Sequence, residues 1–397
     1  MNTLIEKSEL SISSMQYPYQ RSVKGAINWE WRMNGIIGAR GTGKTTLMLQ
    51  KLKLLREAGH QVLYVRLDDF YFTDHRVYDL ADLFRINGGE YLYLDEVHKY
   101  RGWARELKNI YDSMPGLKIL FSGSSIIELT EQDADLSRRA LLYELPGLSF
   151  REYLRLSDII DMSAFGLEDL IVNSRDLSLE IAKKLPIIKH FNNYIESGYY
   201  PYFLEENRDY TATLEQVIKT VLETDLRQIE NFDVVQLKKM LLLLKIISSS
   251  SPFKPNISAI SSKAGLHRHT VLHYLHYLEK AKLIKTLNYP DKYISRLQKP
   301  DKIFLDNPNL FFVLNPDRVD KGSLRETFAL SQLSVNHEVH LHEKADMMVD
   351  GKYIFEIGGK NKESNQIKGL ENSFLLLDEI ETAYHKRIPL WLMGFQY

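Results

Sequence analysis

The 397-residue sequence predicts an α/β protein: a parallel β-sheet with helices on both faces, followed by a helical segment, a helix-rich basic segment and a small mixed α/β tail. Three observations predict it. Short apolar runs alternate with helical stretches through the first 150 residues, the pattern that builds a parallel sheet with crossover helices. The turn Gly38-Ala39-Arg40-Gly41-Thr42-Gly43-Lys44-Thr45 lies between one such run and a helix. A second run, Tyr91-Leu92-Tyr93-Leu94, ends in Asp95-Glu96.

Taken in order, Gly35-Ile36-Ile37 is a short apolar strand, and residues 46–57 are rich in Leu, Lys, Met and Gln, which favour helix. The turn between them satisfies every fixed position of G-x-x-x-x-G-K-[ST], in the strand–turn–helix context that this phosphate-binding loop requires. Its glycines let successive N–H groups face phosphate oxygens, and the helix that follows adds the positive end of its dipole. This predicts the sheet of a P-loop nucleoside triphosphatase. Lys44 reaches the β- and γ-phosphates, Thr45 ligates Mg2+, and Gly38, Arg40, Gly41, Thr42, Gly43 and Thr46 complete the nucleotide contacts.

Residues 61–67 form the next strand, 78–84 a helix, and Tyr91 to Leu94 a strand buried on both faces. Its terminal acids belong at the carboxyl edge, where ligands collect in parallel sheets. Asp95 holds Mg2+ through water, and Glu96 is the general base. Residues 100–113 are amphipathic, with Trp103, Leu107, Ile110 and Tyr111 at core-facing spacing. Residues 118–121 form a further strand, followed by Ser122-Gly123-Ser124-Ser125. Ser124 has two readings, a γ-phosphate or water sensor and the N-cap of a helix from Ile126.

The phosphate loop, Leu94-Asp95-Glu96-Val97-His98, Phe121-Ser122-Gly123-Ser124-Ser125 and Leu145-Pro146-Gly147-Leu148-Ser149-Phe150-Arg151-Glu152-Tyr153-Leu154 follow one another. In that order they resemble the prokaryotic AAA-superfamily ATPases that carry a C-terminal domain of unknown function. The likeness is strongest over residues 30–155. It implies an arginine finger at Arg138 or Arg139, the latter matching better, that reaches a neighbour's γ-phosphate or acts in its own site. The fork of an arginine suits two phosphate oxygens at once.

Hydrophobic residues make up 44% of the chain, enough for ordinary cores, and the absence of cysteine excludes disulfides, thiolate metal sites and cysteine nucleophiles. Residues 1–15 are polar and mixed in charge, and no run approaches the length of a membrane span, so a soluble cytoplasmic protein is expected. Residues 236–302 hold 13 Lys or Arg against Glu279, Asp291 and Asp301, a local +10 that leaves −11 for the rest of a chain whose total is −1. Such an asymmetry points to a localised polyanion surface.

Residues 151–235 have helical spacing over 158–184, 185–197 and 212–229, broken at Ser197-Gly198-Tyr199-Tyr200-Pro201, and are expected to form a lid with Glu223 and Asp225 as solvated helix charges. Residues 236–247, 257–264 and 267–281 read as helices, with Gly265 in the turn between the last two, and residues 282–287 and 293–305 as a hairpin. That order describes a winged helix. His267, Arg268, His269, Thr270 and His273 open its third helix, where base edges are read. Both DNA binding and plain packing fit this module.

Residues 303–397 add Glu326 in a helix, then Asp346 and Glu356 on strands around the turn Asp350-Gly351. This set resembles the PD-(D/E)xK nuclease fold and would gather on Mg2+. Gly358 stands where the pattern requires lysine, and Lys360 follows only after Gly359, which favours a degenerate, non-cleaving domain.

The expected boundaries are 1–150 for the ATPase domain, 151–235 for the lid, 236–302 for the winged helix and 303–397 for the nuclease-like part. The expected function is Mg2+-dependent ATP binding and hydrolysis coupled to DNA or a protein partner, with the chain free of membrane and forming a homo-oligomer or a complex. The alternatives are a slow nucleotide switch and an ATP-gated nuclease.

Overall fold

The computed structural model describes residues 1–15, 21–124, 136, 138–205, 208–229, 232–249, 257–290 and 299–397. Two compact units divide the chain: Met1–Pro146 with Asp225–Asn231, and Gly147–Thr224 with Phe232–Tyr397.

In the first unit the chain runs through α1 (Asn2–Ser13), β1 (Met33–Gly38), α2 (Lys44–Glu57), β2 (Val62–Arg66), α3 (Val77–Ile86), β3 (Tyr91–Asp95), α4 (Trp103–Ser113), β4 (Lys118–Ser124) and β5 (Leu141–Glu144). The five strands pair in parallel in the order β2-β3-β4-β1-β5. Strand alternation feeds two cores. Leu63, Val65, Leu92, Leu94 and Phe121 join α3 and α4 on one face, whereas Ile36, Tyr64, Tyr93 and Leu120 join α2 on the other. The fold is thus the expected P-loop α/β sheet with helices on both faces.

Helix α1 falls where the sequence reads as a polar terminus. Leu4, Ser8 and Ile12, spaced by four, are buried, and the Tyr64 N–H donates to Ser8 Oγ at 2.9 Å. The apolar residues of this stretch are scattered among polar ones, but the buried i, i+4, i+8 stripe is a helix face.

In the second unit, helices Phe150–Leu156, Leu167–Val172, Ser174–Lys184, Ile187–Ser197 and Tyr210–Thr220 precede a π-helical turn, Val221–Asp225. The continuous helix expected over 158–184 is interrupted. Asp158 takes a left-handed φ of 53°, which ends the first helix, and helix resumes only after Gly166. Helices Val234–Ser248, Ile257–Ala264 and Arg268–Lys280 lead into an antiparallel pair, β6 (Ile284–Leu287) with β7 (Lys302–Leu305). Residues 293–298 of the expected 293–305 partner strand lie outside the described residues, and the strand seen is its last part. Helices Asn309–Leu314 and Lys321–Leu333 then precede a mixed sheet of β8 (Val339–His340), β9 (Met347–Val349), β10 (Tyr353–Gly358), β11 (Ser373–Leu377) and β12 (Arg387–Pro389). Asp350 and Gly351, at φ 52° and 63°, make the β9–β10 turn that the sequence indicates.

One hydrophobic core contains Leu154, Phe191 and Tyr194 of the expected lid, Leu287 and Phe304 of the β6–β7 pair, and Phe328, Phe355 and Trp391 of the tail. Three of the four expected segments therefore share a core instead of standing as separate domains. The Ser149-Phe150-Arg151-Glu152 stretch is architectural. Ser149 and Glu152 form a capping box, and Ser149 Oγ and Arg151 Nε both donate to the main-chain oxygen of Tyr397, at 2.6 and 2.9 Å.

Candidate functional site

The site is built at the carboxyl edge of the first unit's sheet. Gly38 ends β1 at φ 153°, and a Cβ there would lie 2.4 Å from the Leu145 carbonyl oxygen, so only glycine lets the loop leave the sheet at this point. Gly43, left-handed at φ 92°, turns the loop into α2. Arg21 braces the loop by donating to the carbonyls of Thr42 and Pro146, at 2.7 and 2.8 Å. Thr42 Oγ1 donates to Ala39 O at 3.0 Å. Lys44 is buried and folds over the loop, donating to Gly38 O and Ala39 O, each at 2.9 Å. Burial pulls its ammonium below the ordinary lysine range, against the pull of Glu96, Asp95 and Asp225.

Strand β3 places the acids beside this loop. Asp95 is buried, and its Oδ2 accepts from Thr45 Oγ1 and Tyr64 OH, both at 2.7 Å, while Oδ1 accepts from Ser122 Oγ. Thr45 and Asp95 thus present oxygen donors side by side, the donor chemistry that Mg2+ takes. Glu96 follows in a left-handed conformation, φ 57°, which costs a non-glycine residue energy and sets the carboxylate's direction. Its N–H donates to Ser122 Oγ at 3.2 Å. Burial holds the Glu96 carboxyl above its usual range, with Lys44 opposing.

Ser124 ends β4 in register with Gly38, and its N–H donates to His98 Nδ1 at 3.4 Å. The helix from Ile126 that it was expected to cap lies outside the described residues. The hydroxyl that reaches the acid pair belongs to Ser122, two residues earlier on the same strand face. His98 accepts at Nδ1 and therefore carries its proton on Nε2, which lies 3.5 Å from Glu96 Oε2 and 3.9 Å from Asp225 Oδ1. Burial lowers its pKa to about 4, so the ring is neutral near pH 7.

Asp225 corrects the sequence reading. It is not a solvated helix charge: its side chain is 1% exposed, and Oδ1 lies 3.3 Å from Arg40 Nη1 and 3.1 Å from Lys99 Nζ. Sequence reasoning missed it because an acid at the end of an amphipathic helix, 129 positions beyond Glu96, carries no local signal. Tyr64, His98 and Lys99 were missed as well, although His98 and Lys99 directly follow the acid pair.

Arg139 stands elsewhere. It precedes β5, whose Leu141 pairs with Asn34 at the amino end of β1, the edge opposite the phosphate loop. Its guanidinium makes a bidentate pair with Asp112 at 2.8 and 2.9 Å. This placement excludes Arg139 from its own nucleotide site, because β1 runs the full depth of the sheet between them. Arg138 is exposed beside it.

In the second unit, two lysines occupy the acids of the nuclease-like set. Lys302 Nζ binds Glu326 Oε2, both residues being buried, and Lys362 Nζ lies 2.5 Å from Glu356 Oε1. Asp346 Oδ2 accepts from Ile357 N at 2.8 Å. The Lys362 side chain lies against Gly358. Among the described residues no group of three or more His, Asp or Glu gathers as round a metal ion. Asp346 and Glu356 stand near enough to Glu326 to raise its pKa, and lysines engage Glu326 and Glu356.

Residues 30–154 match the family model of an AAA domain. That match spans 125 of the chain's 397 residues. Residues 188–314 match a domain of unknown function, DUF8612, which runs across the expected boundaries at 235 and 302. An uncharacterized protein of Methanocaldococcus jannaschii, MJ1637, is 28% identical over 281 residues, which cover 66% of this chain and 59% of that protein. The chain thus matches less than two thirds of that relative's length. Among solved structures, AMPPCP-bound DnaA from Aquifex aeolicus is 17% identical with a TM-score of 0.29, covering 69% of this chain and 87% of its own. Domain III of Thermotoga maritima DnaA is 17% identical with a TM-score of 0.24, covering 47% and 85%. Scores of this size add nothing to the reading of the site. Among the described residues no helix is long and apolar enough to cross a membrane.

Proposed function

We propose that the AAA domain binds ATP with Mg2+ and hydrolyses it. The observation that carries this reading is the convergence of Lys44, Thr45, Asp95 and Glu96 on one sheet edge, with Asp95 tied directly to Thr45. Thr45 and Asp95 would hold Mg2+, which when bound neutralises charge on the phosphate oxygens. The loop amides and Lys44 bind and orient the phosphates. Glu96 takes a proton from water as the water oxygen bonds to the γ-phosphorus and the bond to the β–γ bridging oxygen breaks, giving ADP and phosphate. The raised affinity of Glu96 for a proton suits that role. Ser122 holds the acids in place, and the Ser124 N–H holds His98 at the same edge.

Glu96→Gln keeps the shape but cannot accept the proton, so kcat should fall by about 100-fold or more while ATP binding persists. Unchanged turnover would remove Glu96 as the base. Strong binding with negligible turnover in the wild type, with or without saturating DNA, would make the protein a nucleotide switch. Arg139, turned away from its own site, suits a neighbour's γ-phosphate only in an oligomer, which a mass measurement in ATP tests.

The three helices and the β6–β7 pair support a winged helix that meets DNA through the exposed amino end of helix Arg268–Lys280. The lysine pairs at Glu326 and Glu356 support a non-cleaving tail, because a carboxylate engaged by an ammonium is a poor metal ligand.

A further inference from the structure

Asp225 belongs to a short return of the chain into the first unit, Asp225–Asn231, and the chain on both sides of that return belongs to the second unit. It is buried, and a buried carboxylate persists as an anion only when paired. Its partners are specific. Arg40 is the third residue of the phosphate loop, and its Nη1 lies 3.3 Å from Asp225 Oδ1, 3.5 Å from Oδ2 and 4.0 Å from Glu96 Oε2. Lys99 follows the acid pair by three positions, and its Nζ lies 3.1 Å from Asp225 Oδ1. Among the described residues the buried Nε2 of His98 has no hydrogen-bond partner, and it faces both Asp225 and Glu96, at 3.9 and 3.5 Å. The segment is entered through a π-helical turn, Val221–Asp225, a local irregularity that recurs at functional positions.

A carboxylate and a terminal phosphate present the same chemistry to an arginine fork and an ammonium: a compact anion with several acceptor oxygens. We propose that Asp225 competes with the terminal phosphate of a bound nucleoside triphosphate for Arg40 and Lys99, so that triphosphate binding releases Asp225 and the Leu226–Ile229 turn behind it. The inference rests on the nucleotide reading above and adds to it a sensor supplied by a distant part of the chain. Nucleotide state then reaches the second unit along the backbone itself, through a segment whose tether to the first unit is lost when the phosphate takes its cations. A diphosphate lacks the competing group and leaves Asp225 paired. Because a competitor lowers apparent affinity by the fraction of competent molecules, Asp225 also weakens triphosphate binding in the wild type.

The test uses the full chain and two probes, a non-hydrolysable ATP analogue and ADP, each with Mg2+, titrated calorimetrically. Asp225→Asn should tighten the analogue about tenfold, the equivalent of one charge-assisted contact, and leave ADP nearly unchanged. Equal change for both probes, or none, overturns the proposal. Hydrogen exchange of wild-type protein gives a reading independent of the variant's folding. The amides of Leu226–Ile229 should exchange faster with the analogue than with ADP, and equal or slower exchange overturns it. Lys44→Ala separates the two layers. If the wild type binds no more nucleotide than Lys44→Ala, the nucleotide reading fails and this one with it. If binding depends on Lys44 but the ratio of analogue to ADP is unmoved by Asp225→Asn, only the role of Asp225 fails.

Discussion

At the scale of single residues, the two serines of β4 make opposite claims on the chemistry. Ser122 donates to Asp95 and accepts from the Glu96 N–H, so its hydroxyl fixes both acids at once. Ser124 contributes a backbone N–H to His98, a contact that survives any side-chain change short of proline. Removing one partner of a buried hydrogen bond to a charged group costs about 1.5–3 kcal/mol. Ser122→Ala should therefore lower kcat by about tenfold or more, and Ser124→Ala by clearly less, in steady-state ATPase assays. The reverse order would return the sensor role to the Ser124 hydroxyl. The sequence singles out the strand end but not the position, because both serines sit on the same face and only the depth of Asp95 decides between them.

At the scale of elements, legibility follows how local the physics is. The loop from Gly38 to Thr45, strand β3 and the Asp350-Gly351 turn are each encoded within a few residues, by glycine conformations and by apolar runs ended by charge. They stand where the sequence puts them. Asp225, the Lys302–Glu326 pair and the sharing of one core by lid and tail depend on contacts between distant segments, and no local pattern announces them. Arg139 shows the converse: a motif-based choice whose neighbourhood is decided by strand register. The Glu326 pair carries a prediction of its own. Burial raises the Glu326 pKa from 4.5 to about 7, with Asp346 adding to the effect and Lys302 opposing it. Between those values the folded chain holds a proton that the unfolded chain has released. Stability therefore falls as pH rises from about 4.5 to 7, by an amount of order 3 kcal/mol from this group. Glu326→Gln keeps a hydrogen-bond acceptor for Lys302 and abolishes the titration. The melting temperature of the variant should depend less steeply on pH across this window than that of the wild type, and parallel slopes would show that Glu326 does not titrate there. Glu356, also raised by burial, remains in both proteins and sets the residual slope.

At the scale of the whole molecule, the question is where the charge of residues 236–302 is spent. The count of 13 cations overstates the surface they offer. Lys302 is buried against Glu326, and Lys285 donates to Ser334. Lys263 and Arg268, in contrast, are exposed at the end of one helix and the start of the next, on either side of the Gly265 turn. If this turn meets DNA, its cations replace condensed counterions, and the logarithm of the binding constant falls with the logarithm of salt by about 0.9 per phosphate neutralised. Reversing both charges, Lys263→Glu with Arg268→Glu, should weaken binding of the full chain to duplex DNA and shallow that slope by about two. The turn is remote in sequence from Lys44 and Glu96, so ATPase turnover without DNA should be retained in the same protein, which separates a lost surface from a lost fold. Wild-type binding that does not respond to salt, or a slope unchanged by the double reversal, would assign the three helices and their β pair to packing within the second unit, a role already visible in Leu287 and Phe304 of its core.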